Sequence, residues 1–244
     1  MITLSVNINK VATLRNSRGG ETPSVLEATR TCAEAGAPGI TVHPRADARH
    51  ITERDVRDVA VLLREHGGRT EFNIEGDPRP DLLALVHELK PTQCTIVPVR
   101  PGEVTSQAGW PADTPRAAIA TVAAGLRQAG IRVSVFVEPD EAPIRWAKDV
   151  GADRVELYTE PFARAFERGA AGESFQRYSA AAELAHALGL GVNAGHDLDL
   201  ENLVLFRTLP HLEEVSIGHA LVSHALFVGL DRSVREYLSV LRSR

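Results

Sequence analysis

Three of the nine histidines sit where a short apolar run gives way to a turn. His43 follows GITV, His196 follows VNAG and His219 follows SIG, while Glu75 follows FNI in the same manner. An imidazole titrates near neutral pH unaided. A carboxyl buried in an apolar mouth is tuned upward into the same range. His43, Glu75 and His196 therefore have the right types for proton transfer. Metal binding is the rival role for this set, although no HxH or HxxxH pair occurs and the histidines come from separate runs. Asn7, Asn9, Arg45, Thr105, Glu138, Glu156 and Tyr158 are further polar residues at or just past such run ends.

Two places could hold anions. NAGHD and SIGHA close the last two apolar runs. Gly218 lets backbone approach an anion closely, and a helix from about Ala220 would aim its positive end at the same point. Arg15 and Arg18, beside Gly19 and Gly20, could clamp a second anion as guanidinium forks. The chain has three lysines, Lys10, Lys90 and Lys148. Lys10 lies just past the first run and could form a Schiff base in principle, but VATLR after it reads as a loop. His50 shares the segment HPRADARHIT with His43 and Arg45.

These residues need elements to carry them. Short β-rich runs alternate with helical patterns throughout: strands at 2–8, 39–42, 70–74, 93–97, 131–137, 154–157, 190–193 and 214–217. Residues 9–20 read as a polar loop, and Ser24, Thr52, Pro80 and Asp140 open helices. An insertion with Gly169 and Gly172 precedes a helix at 174–188. Asp199 starts a short helix, and helices at about 220–228 and 231–242 close the chain. Eight strand–helix units and a length of 244 residues suit one (β/α)8 TIM barrel with extra helices, as a single domain over 1–244. An open doubly wound sheet usually carries GxGxxG after its first strand, and none is present here. In a barrel the active site lies at the carboxyl ends of the strands, where the polar residues above fall.

Composition narrows the function classes. A net charge of −5 offers no basic surface for nucleic acid. No apolar run approaches a membrane span, and the first residues lack the apolar core of a signal peptide. Cys32 and Cys94 have no ligand spacing and read as reduced core residues of a cytoplasmic protein.

The segments VNINKVATLRNSRG (6–19), GITVHPRADARHIT (39–52), FNIEG (72–76), EVT (103–105), VNAGHDL (192–198) and SIGHAL (216–221) together resemble the pyridoxine 5′-phosphate synthase family, PdxJ, nearly end to end. The resemblance implies an α/β barrel assembled as a homo-octamer. It also implies condensation of 3-amino-2-oxopropyl phosphate with 1-deoxy-D-xylulose 5-phosphate to pyridoxine 5′-phosphate, phosphate and water, without organic cofactor or metal. His43 and Glu75 match the family's general bases and His196 its general acid. Asn7, Arg18, Gly218 and His219 match positions that hold the aminoketone phosphate. Arg45, His50 and Thr105 match positions that hold the pentulose phosphate.

Several positions depart from the commonest pattern of that family. Asn9 and Lys10 stand where N-I-D-H is usual and the last two residues contact the pentulose. Asp197 replaces a glycine that helps hold the aminoketone, and Glu160 replaces another glycine. Two rival readings remain: a phosphosugar isomerase or lyase on the same barrel, and a non-catalytic phosphometabolite-binding barrel.

Overall fold

A computed structural model of the chain describes residues 1–99 and 106–242. Its strands are β1 (Thr3–Asn7), β2 (Gly39–Val42), β3 (Glu71–Gly76), β4 (Gln93–Ile96), β5 (Arg132–Val137), β6 (Arg154–Tyr158), β7 (Gly191–Gly195) and β8 (Leu212–Ile217). Each pairs in parallel with the next, and β8 pairs with β1 to close the barrel. The (β/α)8 fold read from the sequence is the fold observed. Strand limits differ from the expected ones by a residue or two, the ordinary fraying of element ends.

Side-chain alternation divides each strand between two environments. Leu4 and Val6, Ile40 and Val42, Phe72 and Ile74, Val133 and Val135, and Val155 and Leu157 join one apolar core with the surrounding helices. Each fully buried side chain of this kind contributes roughly 1.5–3 kcal/mol. The intervening residues face one another inside the barrel, and most are polar. Ser5 bonds Thr41 at 2.7 Å, Asn73 donates to Thr41 at 3.2 Å, and Thr95 donates to Asn73 at 3.1 Å. Nearer the amino ends of the strands, Gln93 and Asn193 both donate to Glu214, and Arg132 and Arg154 approach its carboxylate at 4.0 and 3.9 Å. Barrels of this class usually fill their interior with branched apolar side chains; here the interior is built from hydrogen-bonded pairs.

The helices differ from expectation in two places. Residues 9–20, read as a loop, hold helix α1 (Asn9–Asn16). Asn7 Oδ1 accepts the Asn9 N–H at its start, and Val11, Ala12 and Arg15 form its buried face. The stretch is too polar to suggest that face because Arg15 is buried through a partner 40 residues away. The insertion before the long helix α8 (Ala171–Ala187) contains a further helix, α7 (Glu160–Glu167), whose Phe162 and Ala163 are buried. Other elements follow the sequence signals. Helix α2 (Val25–Glu34) is capped by Ser24, and α3 (Glu53–Glu65) by a Thr52–Asp55 capping box. Helix α4 (Pro80–Leu89) follows β3, and α5 (Arg116–Gln128) and α6 (Glu141–Asp149) flank β5. Asp199 accepts the N–H groups of Glu201 and Asn202 ahead of the short α9 (Leu203–Phe206), so it caps a turn one step before the helix proper. Helices α10 (His219–Val228) and α11 (Leu230–Arg242) end the described chain. No helix among the described residues is long and apolar enough to cross a membrane.

The segment after β4 is fastened to the end of β5. Trp110 donates through its backbone to Phe136 and through its indole to Ile96, and its ring stacks on Trp146 at 5.9 Å. Gly109 makes this approach possible, since a Cβ there would lie 2.3 Å from Val137 Cα. Gly109→Ala is expected to destabilise the fold by about 1–3 kcal/mol, read as a lowered midpoint in urea.

Candidate active site

A cavity of about 230 Å³ opens at the carboxyl ends of the strands. His43, Glu75 and His196, far apart in sequence, all line it. So do Asn7, Asn9, Lys10, Arg45, His50, Asp197, Gly218 and His219, as the sequence reading requires. Arg18 does not: it is exposed beyond the end of α1. Thr105 lies outside the described residues. Arg15, a candidate anion clamp by sequence, is committed elsewhere. Its guanidinium grips Asp55 at 2.5 and 2.9 Å and reaches the His50 carbonyl at 3.3 Å. Asn16 also donates to the carbonyls of Arg49 and His50. Helix α1 is thus stapled to the segment that carries Arg45 and His50.

His43 and Glu75 come from adjacent strands, and His43 Nδ1 lies 3.8 Å from Glu75 Oε2. Asn9 Oδ1 accepts the His43 backbone N–H at 2.9 Å, so the first and second strand ends are tied together. Arg79 donates to the Pro44 carbonyl at 2.6 Å and pairs with Asp77, holding the next loop against the same segment. Ser216 reaches Glu75 Oε1 at 3.4 Å.

Burial governs the charge state of the site. Burial pushes the Glu75 carboxyl up to about 8, opposed by the Ser216 hydroxyl and reinforced by Glu214. Glu156 is raised well above the usual carboxylate range by burial and then by Glu75 and Glu214. Burial holds His43 well below its ordinary value, helped by Arg45, His50, His196 and Arg79. Burial lowers His50 and His196 to about 4, with Arg45 and Lys10 adding to the effect on each and Asp197 opposing it at His196. Near neutral pH His43, His50 and His196 are therefore neutral, and Glu75 and Glu156 hold their protons, beneath a rim carrying Lys10 and Arg45. Among the described residues, His43 Nε2 and Glu156 Oε2 are buried with no hydrogen-bond partner. Both belong to cavity-lining side chains, which suits exchange of protons with a bound molecule. No group of three or more His, Cys, Asp or Glu side chains among the described residues could hold a metal ion.

His196 sits between Phe136 and Tyr158, with ring centroids 5.1 and 5.3 Å away. Its φ is +85° and that of Asp197 is +57°, left-handed values uncommon for either residue. Phe136, Ser216, Ser106 and Val97 also line the cavity and were not picked out from the sequence. For Phe136 and Ser216 the signal was available: each lies two residues before a strand-end polar or glycine position, hence on the inward face. Glu156, a strand-end residue that sequence alone does not join to the proton-transfer set, lines the cavity with it. Asp197 and His219 border a second, wider cleft as well, shared with Glu160, Arg164 and Arg168.

Two outcomes follow. Arg15→Met leaves the half-buried Asp55 with only its Thr52 donors, and a loss of about 2 kcal/mol in unfolding free energy is expected, measured by denaturant titration. The second concerns Glu75. Its folded proton affinity exceeds that of the unfolded chain, so its contribution to stability is lost as pH rises from about 4.5 through about 8. Glutamine has no proton to release. Relative to the unaltered protein, Glu75→Gln should gain roughly 5 °C in Tm between pH 5 and pH 8, by calorimetry at both pH values.

Known proteins resemble this chain over its whole length. The profile of the family described as pyridoxal phosphate biosynthesis protein PdxJ matches residues 4–243. Pyridoxine 5′-phosphate synthase of Christiangramia forsetii is 49% identical over 243 residues, covering 99% of this chain and 100% of that one. The Bacteroides fragilis protein of the same name is 51% identical with the same coverage. Among solved structures, 3-keto-L-gulonate-6-phosphate decarboxylase of Vibrio cholerae shares the fold, with a TM-score of 0.64, 13% identity and coverage of 99% and 98%. A match from the first strand to the last helix, with half the residues identical in relatives of equal length, leaves one conclusion: the chain belongs to the PdxJ family.

Proposed function

We propose that the chain is the enzyme that condenses 3-amino-2-oxopropyl phosphate with 1-deoxy-D-xylulose 5-phosphate to give pyridoxine 5′-phosphate, phosphate and water. The observation that carries this reading is the meeting of His43, Glu75 and His196 around one cavity with Lys10, Arg45 and His219. Two phosphate-bearing partners need cationic groups and backbone donors, and their condensation needs groups that exchange protons near neutral pH.

The substrate amine attacks the pentulose ketone, and loss of water gives an imine between the two. Glu75 and His43 move protons during addition and dehydration. The raised affinity of Glu75 lets it hold a proton at neutral pH and hand it to the departing hydroxyl, while the neutral His43, 3.8 Å away, takes up the proton that the adding amine gives up. Loss of phosphate from the pentulose part, attack of water and ring closure follow, with His196 acting at a late step. Arg45, Lys10 and His50 hold the pentulose phosphate, while Asn7, Gly218 and His219 hold the aminoketone phosphate at the start of α10. Asn9 orients His43 through its backbone and keeps its amide N–H groups for the pentulose. Holding both partners in register is worth roughly 7–11 kcal/mol of barrier. The reading extends to a single catalytic domain over 1–244 that works in the cytoplasm as a homo-octamer. Leu226 and Phe227, exposed on α10, are suited to contact between copies, and light scattering on the purified protein measures the copy number.

Glu75→Gln is expected to lose pyridoxine 5′-phosphate formation by at least about a hundredfold while still binding the aminoketone phosphate, seen by calorimetric titration beside a product assay. Product from either substrate alone would favour a phosphosugar isomerase or lyase instead. Full turnover by the variant would remove Glu75 from the chemistry.

A further inference from the structure

Thr159 stands at the start of α7, where a threonine ordinarily caps the helix through its hydroxyl. Here it makes no cap bond. The residue is fully buried, and its hydroxyl turns to the neighbouring strand end, where its one proton is shared between the carbonyl of Gly195, at 2.6 Å, and that of His196. Its backbone N–H also donates to the Gly195 carbonyl, at 2.9 Å. The residue before it is fixed in turn, since the buried Tyr178 hydroxyl donates to the Tyr158 carbonyl. On the other side of the turn, Asn202 donates to the Asp197 carbonyl at 3.0 Å.

The turn needs holding. His196 and Asp197 are consecutive non-glycine residues at positive φ, and such conformations persist only where the surroundings over-determine them. Gly195 itself leaves no room for a side chain, since a Cβ there would lie 2.5 Å from Glu156 Oε1. We propose that Thr159 is a positioning residue for the reaction: its hydroxyl, lying across the carbonyls of Gly195 and His196, fixes the left-handed turn that sets the His196 imidazole between Phe136 and Tyr158 and into the cavity. This rests on the reading of His196 as a proton donor, and Thr159 itself does not line the cavity.

Thr159→Val keeps the side-chain shape and removes the donor. The direct readout is the His196 imidazole resonance, which the two flanking rings shift from its free position. In Thr159→Val that shift is expected to collapse toward the free value, and kcat to fall about tenfold to a hundredfold, with KM for each phosphate substrate within about threefold. Thr159→Ser, which keeps the hydroxyl, is expected to restore both the resonance and most of kcat. Should Thr159→Val not fold, Thr159→Ala removes the hydroxyl without setting a methyl against the carbonyls and is read the same way. An unmoved resonance and unaltered kcat in the hydroxyl-free variant would overturn the proposal. Equal losses in Thr159→Ser would also overturn it, by assigning the effect to packing. Full turnover by His196→Asn would remove the acid assignment, while the resonance would still decide whether the hydroxyl sets the ring.

Discussion

Removal of water from ionisable groups is the condition around which this barrel is built. Glu75, Glu156 and Glu214 all lie inside it, and His43 lies over them. A charged carboxylate in such surroundings is strongly disfavoured, so Glu75 and Glu156 keep their protons and His43 stays neutral. The deepest acid is treated differently. Glu214 has Arg132 and Arg154 near it together with two amide donors, which offset part of the effect of burial. Proton-holding groups at the mouth and a carboxyl flanked by two guanidinium groups at the other end give the interior its polarity.

This condition fixes which face of each strand is which. Inward positions carry Ser5, Thr41, Asn73, Thr95 and Asn193, and outward positions carry the valines, leucines and isoleucines that meet the helices. The alternation is visible in FNIEG and VNAG, so strand positions and the closed barrel were legible from spacing. Capping signals such as Thr52 with Asp55 made the helix starts legible too. The first helix was not, because its burial depends on Arg15 meeting Asp55 across 40 positions, and no local pattern reports such a pairing. The helix at Glu160–Glu167 was hidden by its glycine-containing neighbourhood and short apolar face.

The site was legible to the extent that it follows the rule of strand ends. His43, Glu75 and His196 each close a strand or follow it directly, His219 comes one residue past β8, and all reach one cavity. Arg18 fails that rule: it lies beyond the end of α1, exposed and outside the cavity lining. Phe136 and Ser216 sit one inward step below the rim, where an apolar ring and a hydroxyl look like packing residues until their neighbours are known. The work of Asn9 is also tertiary. Its side chain grips the backbone of His43, a contact that only adjacent strand ends bring about.

An interior satisfied by couples has a bearing on how such a chain can vary over time. Ser5 with Thr41, Asn73 with Thr95 and Gln93 with Asn193 each meet through side chains from different strands. These contacts are linked, since Thr41 also accepts from Asn73 and Glu214 accepts from both Gln93 and Asn193, so an apolar replacement at any one member leaves a buried partner unsatisfied. Drift inside this barrel is therefore confined to concerted exchanges of several linked members, and a lineage crosses from a polar lumen to an oily one only by passing through less stable intermediates.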